Sequence, residues 1–416
     1  MKDSEEMQAG FISGACIKQL FPLWKELFRR DPDAQVFSDP EFLSGLIEDQ
    51  EHTVQFLVAW DSAGAAGILP CRITHEWEEG LEGFRTELSM AARAGWADYT
   101  APIVDPRRRD AALRAMSGEL AGTGWGRLRL ANLRLDEKGQ EALFSALEPG
   151  RFERRDDERR INGGETDNLL CPAIDLPESF DTYLATLGRN TRQKLRRLLR
   201  MLDGGEVQIR HGSGKADIAI LVENWARTWA GKPGVREKAD RYGEILLNAD
   251  TAGLLSLPML VRNGQVIAAI ANLVDRTHRR ISFFVSGRDP DVTDIPAGFL
   301  LHADAIRRAI SEGFETYDFL RGDEAYKMQL GAKPVRIDYI TFRRLPADGR
   351  GMQLSPLSLE LLAARIPELI ADGQIARAET AARQVAFVIA TETERWQQAE
   401  LSRSPLLALS PEETNA

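Results

Sequence analysis

The stretch Tyr317–Ala332, YDFLRGDEAYKMQLGA, decides how the rest of this chain is read. Thr316 to Leu320 sets aromatic and apolar residues around one carboxylate and reads as a strand. Arg321-Gly322-Asp323 turns the chain, and Glu324 to Leu330 reads as a short helix. Asp318, Arg321, Asp323, Glu324, Tyr326 and Lys327 are thereby gathered at one strand-to-helix junction. In α/β folds, strand ends and helix starts aim their polar groups at the same place, which is where ligands sit. Apolar strand, rather than more polar loop, flanks these groups, which favours a site over a solvated turn.

Upstream, a helix is expected from Ala297 to Glu312, stopped by Gly313, after a polar loop Gly287–Pro296. Before that loop come a strand, Arg280–Ser286, and a hairpin of Ser256–Arg262 and Gln265–Val274 around Asn263-Gly264. Helices are expected over Ile218–Trp229, with Trp225 and Trp229 assigned to the core, and over Tyr242–Ala249. Between Asp181 and Leu202, leucines 184, 187, 195, 198 and 202 line one helical face. Gly188 divides this helix, and Asn190 or Thr191 is expected to recap it. Arg189, Arg192, Lys194, Arg196, Arg197 and Arg200 occupy the remainder. They read as a solvated basic face, or as an anion site for a phosphorylated cofactor or acidic acceptor; RNA is a weaker fit without interleaved aromatics. Downstream, Val335–Phe342 is expected to be the last strand of this unit.

The first half repeats this grammar. A hairpin pairs Gln55–Trp60 with Ala66–Ile73, a helix covers Asp110–Leu120, and Arg127–Leu130 alternates as a strand. Phe56–Pro70 corresponds in pattern to Met259–Leu273, and Leu128–Leu130 to Tyr317–Phe319, which suggests a duplicated α/β module. The charged stretch Arg151–Gly164 marks a boundary, and from Gln353 the chain turns to alanine- and leucine-rich helix. The expected domains are therefore residues 1–164, 165–350 and 351–416, the last a helical extension with a polar tail.

Composition narrows the function. The 416 residues are 43% hydrophobic and 28% charged, ordinary for a globular chain of two or three domains. A formal net charge of −10 argues against a DNA-binding protein while leaving room for a local basic patch. Cys16, Cys71 and Cys171 are widely spaced, without metal-ligand or disulfide patterning, so no metal is expected and a reducing compartment fits. The acidic amino terminus lacks the apolar core of a signal peptide, and the run Val266–Val274 is too short to span a bilayer. A cytoplasmic protein is expected, with any membrane contact peripheral to the inner membrane. His278 and His302 have no Ser or Cys nucleophile beside them, so no triad is assigned.

Three stretches, LGRNTRQKLRRLLRML (Leu187–Leu202), FFVSGRDPDVTDIPAGFLLHADAI (Phe283–Ile306) and YDFLRGDEAYKMQLGA, together with the order of elements, resemble the GNAT superfamily of acyl-CoA-dependent acyltransferases. The resemblance is to its bacterial branch of cellulose-biosynthesis acetyltransferase-like proteins and, more remotely, to Fem-type aminoacyltransferases. It implies an α/β (α+β) fold of tandem GNAT-like modules, each a mixed, mostly antiparallel sheet flanked by helices. It implies acetyl-CoA or another acyl-CoA as donor, with its pyrophosphate at the helix start near Ala297 and Gly298, beside Arg288. The loop there carries Asp289, Asp291 and Asp294 where the superfamily has a compact glycine-rich turn. Backbone groups at Phe284, Val285 and Ser286 would polarise the thioester carbonyl. Tyr326, followed by Gly331, falls where the superfamily has a tyrosine that protonates the leaving thiolate. A base is sought among Asp323, Asp318 and Glu324, with Asp323 favoured because it lies in the turn. Arg321, Glu324 and Lys327 are candidates for acceptor contacts.

The expected activity is direct acyl transfer to an amine or hydroxyl of a saccharide, amino acid or envelope precursor. The rivals are an aminoacyl-tRNA-dependent transferase of Fem type, in which tRNA is the partner, and a noncatalytic scaffold for exopolysaccharide assembly. The sequence leaves acceptor, acyl chain length and oligomeric state open.

Overall fold

The computed structural model describes residues 6–47, 53–95, 97–345 and 354–390. The chain forms two units, residues 1–158 with 337–416, and residues 159–336. In the first, strands β1 (Gln8–Ser13), β2 (Val54–Asp61), β3 (Gly64–Glu78), β4 (Gly83–Met90), β5 (Ile103–Val104), β6 (Arg127–Leu133) and β7 (Phe152–Asp156) alternate with helices α1 (Ile17–Arg30), α2 (Pro40–Ile47), α3 (Arg109–Gly122) and α4 (Glu137–Leu143).

The second unit opens with the small ladder β8 (Arg160–Ile161) and β9 (Thr166–Asp167), then β10 (Leu170–Asp175), α5 (Phe180–Thr186), α6 (Arg189–Asp203) and β11 (Gln208–Gly212). It continues through α7 (Gly214–Thr228), α8 (Val235–Thr251), β12 (Leu255–Arg262), β13 (Gln265–Asp275), β14 (Arg280–Arg288), α9 (Ala297–Ser311), β15 (Thr316–Asp318), α10 (Ala325–Gln329) and β16 (Lys333–Arg336). The chain then returns to the first unit as β17 (Asp338–Arg344) and α11 (Leu359–Ala371), with a further helical stretch over 375–390.

Both sheets follow one plan. The first runs β1-β2-β3-β4-β6-β17-β7, and the second β11-β12-β13-β14-β15-β10-β16. In each, four antiparallel strands lead to a helical crossover, α3 or α9. A parallel neighbour follows, β6 on β4 or β15 on β14, and two antiparallel strands close the order. The sixth place is filled differently: β10 precedes its sheet-mates in the chain, whereas β17 arrives after the whole second unit.

That exchange corrects the expected strand Val335–Phe342, which divides between the sheets. Lys333–Arg336 is exposed along its length and forms an edge of the second sheet, where Pro334 lacks an N–H to offer. Ile340 and Phe342 alternate inward and are buried in the first core, so β17 pairs with β6 and β7. The units accordingly divide after Glu158 and after Arg336, rather than after residues 164 and 350.

Two apolar layers sandwich the second sheet. On one face α5, α6 and α9 bury Leu184, Leu195, Leu198, Leu300 and Ile306 with Ile270 and Phe283; on the other, α7 and α8 bury Leu221 and Leu246 with Met259, Ala269 and Val285. Asn263 (φ 52°) and Gly264 (φ 77°) form the tight turn that their sequence demands, and Arg262 pairs with Gln265 across it. Gly188 breaks the basic helix as expected, but it is itself the residue before α6; Asn190 and Thr191 lie inside the first turn. Trp225 packs with Tyr242 in the second layer, whereas Trp229 is 37% exposed, with the Lys232 ammonium over its ring.

Candidate active site

The site begins with an irregularity in β14. Asn272 pairs with Phe283 and Ala271 with Val285, so Phe284 is an extra residue, a β-bulge. The bulge reverses the facing of the strand: Ile281 and Phe283 lie in the α9-side core, Val285 in the α7-side core. Past the bulge, Gly287 lies against α7. A Cβ there would stand 2.0 Å from the Leu221 carbonyl oxygen, so only glycine admits the helix this close.

β14 also parts from its parallel neighbour. Pairing with β15 covers Arg280–Ser282 against Thr316–Asp318, and β14 then continues to Arg288 without it. β15 turns instead toward β10, where the Phe319 N–H donates to the Pro172 carbonyl. The opened edge carries Phe284, half-buried, Val285, buried, and Ser286, exposed. Where β14 ends the loop to α9 begins, and α9 starts after Pro296 with no side chain capping its free N–H groups and no acid in its first turn. Ala297 is buried, while a Cβ on Gly298 would meet nothing within 4 Å, so the first turn faces open space.

Each of the three aspartates of that loop is paired with an arginine. Arg227 of α7 reaches Asp289 at 3.2 Å and Asp291 at 2.7 Å, and Arg262 of β12 reaches Asp294 at 2.6 Å. The Arg262 guanidinium holds the Asp294 carboxyl below its ordinary range. Arg288 is exposed at the end of β14.

Tyr326 on α10 is joined to the opened strand through His302 of α9. The imidazole is 3% exposed, meets Phe283 edge-on at 4.6 Å and stacks on Tyr326 at 5.8 Å with 26° between the rings. His302 Nδ1 lies 2.9 Å from the Tyr317 hydroxyl, which is 3.4 Å from Asn272 Oδ1. Burial first, and the Lys327 charge second, push the imidazole down to about 3, so His302 is neutral. Burial, then the negative Glu324, raise the Tyr326 phenol well above its ordinary value and keep it protonated. Neither His302 nor Tyr317 was singled out from sequence for a site; the available signal was one imidazole inside the otherwise apolar run FLLHADAI.

The remaining junction residues separate into structural tasks. The Lys327 ammonium is buried and donates to the carbonyls of Leu320 (3.4 Å), Arg321 (2.8 Å) and Gly322 (2.9 Å), with Glu324 Oε2 at 2.9 Å. Its three N–H bonds are occupied, which corrects its expected contact with an acceptor: it clamps the turn. Glu324 serves the same clamp. The turn needs left-handed backbone at Leu320 (φ 56°) and Gly322 (φ 103°), and the converging carbonyls are the consequence. Asp318 is buried and accepts the Leu320 N–H at 2.7 Å, while Asp323 Oδ1 accepts the Asp167 N–H at 2.8 Å, tying the turn to β9. Arg321 is half-buried in the same turn. The fold thus links Tyr326 through His302 to Phe283 beside the bulge, while the Phe284 ring packs on Tyr242 of α8 on the other face. Asp318, Asp323, Arg321, Glu324 and Lys327 sit in the neighbouring turn.

Among the described residues no group of His, Cys, Asp and Glu is placed to hold a metal ion, and no helix is long and apolar enough to cross a membrane. No curated protein matches the chain by sequence. In fold, the chain is similar to FemX, at 10% identity over 80% of this chain and 96% of that one, with a TM-score of 0.55. Weaker likenesses are a conserved protein of unknown function from Bacteroides thetaiotaomicron (15% identity, 80% and 98% covered, TM-score 0.48) and the C-terminal domain of a putative lysylphosphatidylglycerol synthetase from Agrobacterium fabrum (10%, 81% and 94%, TM-score 0.46). Residues 189–328, from the start of α6 into α10, match the family described as the acetyltransferase (GNAT) domain, and the second unit therefore carries a domain of that kind.

Proposed function

We propose that the protein transfers an acyl group from a CoA thioester to an amine or hydroxyl of a saccharide, amino acid or envelope precursor, in one ternary complex. The observation that carries this reading is the parting of β14 from β15 beside the uncapped start of α9, with Tyr326 packed through His302 against Phe283. A thioester lying along Phe284–Ser286 would have its carbonyl polarised by strand backbone. The pyrophosphate would take the first turn at Ala297 and Gly298, with Arg288 nearby. Collapse of the tetrahedral adduct breaks the carbon–sulfur bond, and the Tyr326 phenol gives its proton to the departing thiolate. Asp323 is the proposed acceptor of the ammonium proton, with Asp318 as the alternative.

The test is calorimetry and a thiol-release assay on the full chain with acetyl-CoA and longer acyl-CoAs. Binding is expected, and Tyr326→Phe is expected to cut kcat by about 100- to 10,000-fold while binding persists. Gly298→Val should weaken binding without lowering thermal stability, since its Cβ meets no atom. No affinity for any acyl-CoA would overturn the reading. The arginine face of α6 supports one alternative donor, an aminoacyl-tRNA, and salt-sensitive binding of charged tRNA without acyl-CoA affinity would install it.

A further inference from the structure

α6 divides sharply into two faces. Leu195, Leu198 and Leu199 are buried in the core shared with α9, and the Lys194 ammonium is held 4.1 Å from the Phe299 ring centroid. The opposite face presents Arg189, Arg196, Arg197 and Arg200, all exposed. At helical spacing, Arg189, Arg196 and Arg200 fall on one line about 16 Å long, with Arg197 beside it. Elsewhere in this unit, Arg210, Arg227, Arg236, Arg262, Arg279 and Arg307 each meet a carboxylate. Among the described residues none of the four α6 arginines does, although a chain of net charge −10 has no shortage of acids.

We propose that this face docks the second unit onto an anionic lipid surface, so that the acceptor is one presented at a membrane. The reverse of the helix is fixed by buried leucines, so the guanidiniums meet a plane of phosphates with little rearrangement. The other exposed residues of α6 are Asn190, Gln193 and Asp203. With no apolar side chain to insert, the contact is electrostatic and salt-sensitive. With no exposed aromatic on which a base could stack, the face suits a sheet of headgroups better than RNA. The overall negative charge does not forbid this, because at physiological ionic strength fields decay over about 8 Å and the patch acts locally. The membrane-borne acceptor rests on the acyl-transfer reading. Docking itself is measured without donor or acceptor, so its failure leaves that reading untouched.

The experiment is sedimentation of the full chain with vesicles of phosphatidylcholine mixed with phosphatidylglycerol, and with phosphatidylcholine alone. Binding is expected to the mixed vesicles only, and to fall as salt rises. The triple variant Arg196→Gln, Arg197→Gln, Arg200→Gln should bind about 100-fold more weakly, at about fivefold per arginine. The corresponding triple lysine variant should bind as the parent does, since a phosphate plane reads charge rather than guanidinium shape. A control pair, Arg236→Gln with Arg241→Gln, should also leave binding unchanged. Absence of binding to mixed vesicles would overturn the proposal. So would a glutamine triple variant that binds undiminished, a control pair that loses binding equally, or tight binding of unstructured RNA without vesicle binding.

Discussion

His302 gives the sharpest physical test of the cluster that holds Tyr326. In the unfolded chain its imidazole takes a proton near pH 6.5; in the fold, burial and the Lys327 charge push this down to about 3. Because the folded pKa lies below the unfolded one, the unfolded chain binds the proton first. The stability linked to His302 is therefore fully present above about pH 6.5 and drains as pH falls toward 3. At about pH 5 the difference is roughly 1.5 pKa units, or about 2 kcal/mol lost relative to about pH 8. The assay compares urea unfolding of the parent and His302→Phe at both pH values. Phenylalanine keeps a ring against Phe283, Phe319 and Tyr326, and leaves the Tyr317 hydroxyl its contact with Asn272. Every other titrating group is common to the two proteins, so the double difference isolates the imidazole. The parent should lose about 2 kcal/mol more than the variant between about pH 8 and pH 5. An equal loss in both would refute a buried neutral His302, and with it the account of how Tyr326 is packed.

Gly287→Ala places a methyl group 2.0 Å from the Leu221 carbonyl and should cost about 1–3 kcal/mol in urea unfolding; an unchanged midpoint would mean α7 does not lie on β14 at that distance. Lys327→Met removes the ammonium on which three carbonyls converge and should destabilise by about 3 kcal/mol or more, with protease sensitivity appearing at residues 320–323. A variant as stable as the parent would return Lys327 to the list of acceptor contacts. Asp323→Asn keeps an oxygen to accept the Asp167 N–H, so its thermal unfolding should match the parent's while kcat falls; full turnover at equal stability would remove Asp323 as the base.

What was legible in the sequence was local chemistry. Asn263-Gly264 can hardly do other than turn, Gly313 with its φ of 78° ends α9 where it should, and the charged junction at 317–332 is one junction in space. What escaped were facts set by distant partners. Residues 335–342 read as one strand because nothing in their own sequence says that Ile340 and Phe342 belong to a core built mainly from residues before 158. Lys327 reads in the sequence as an acceptor contact because only the left-handed backbone at Leu320 and Gly322 turns carbonyls toward it. The loop before α9 shows the same principle at the point that matters for function. Read alone, Asp289, Asp291 and Asp294 oppose any phosphate beside Gly298. Their partners come from α7 and β12: Arg227 bridges Asp289 and Asp291, and Arg262 pairs with Asp294. Two guanidiniums cut the formal charge of the three carboxylates to −1, and the uncapped N–H groups of α9 add a positive field at the helix start. An anion there is therefore opposed less by the fold than by the bare sequence.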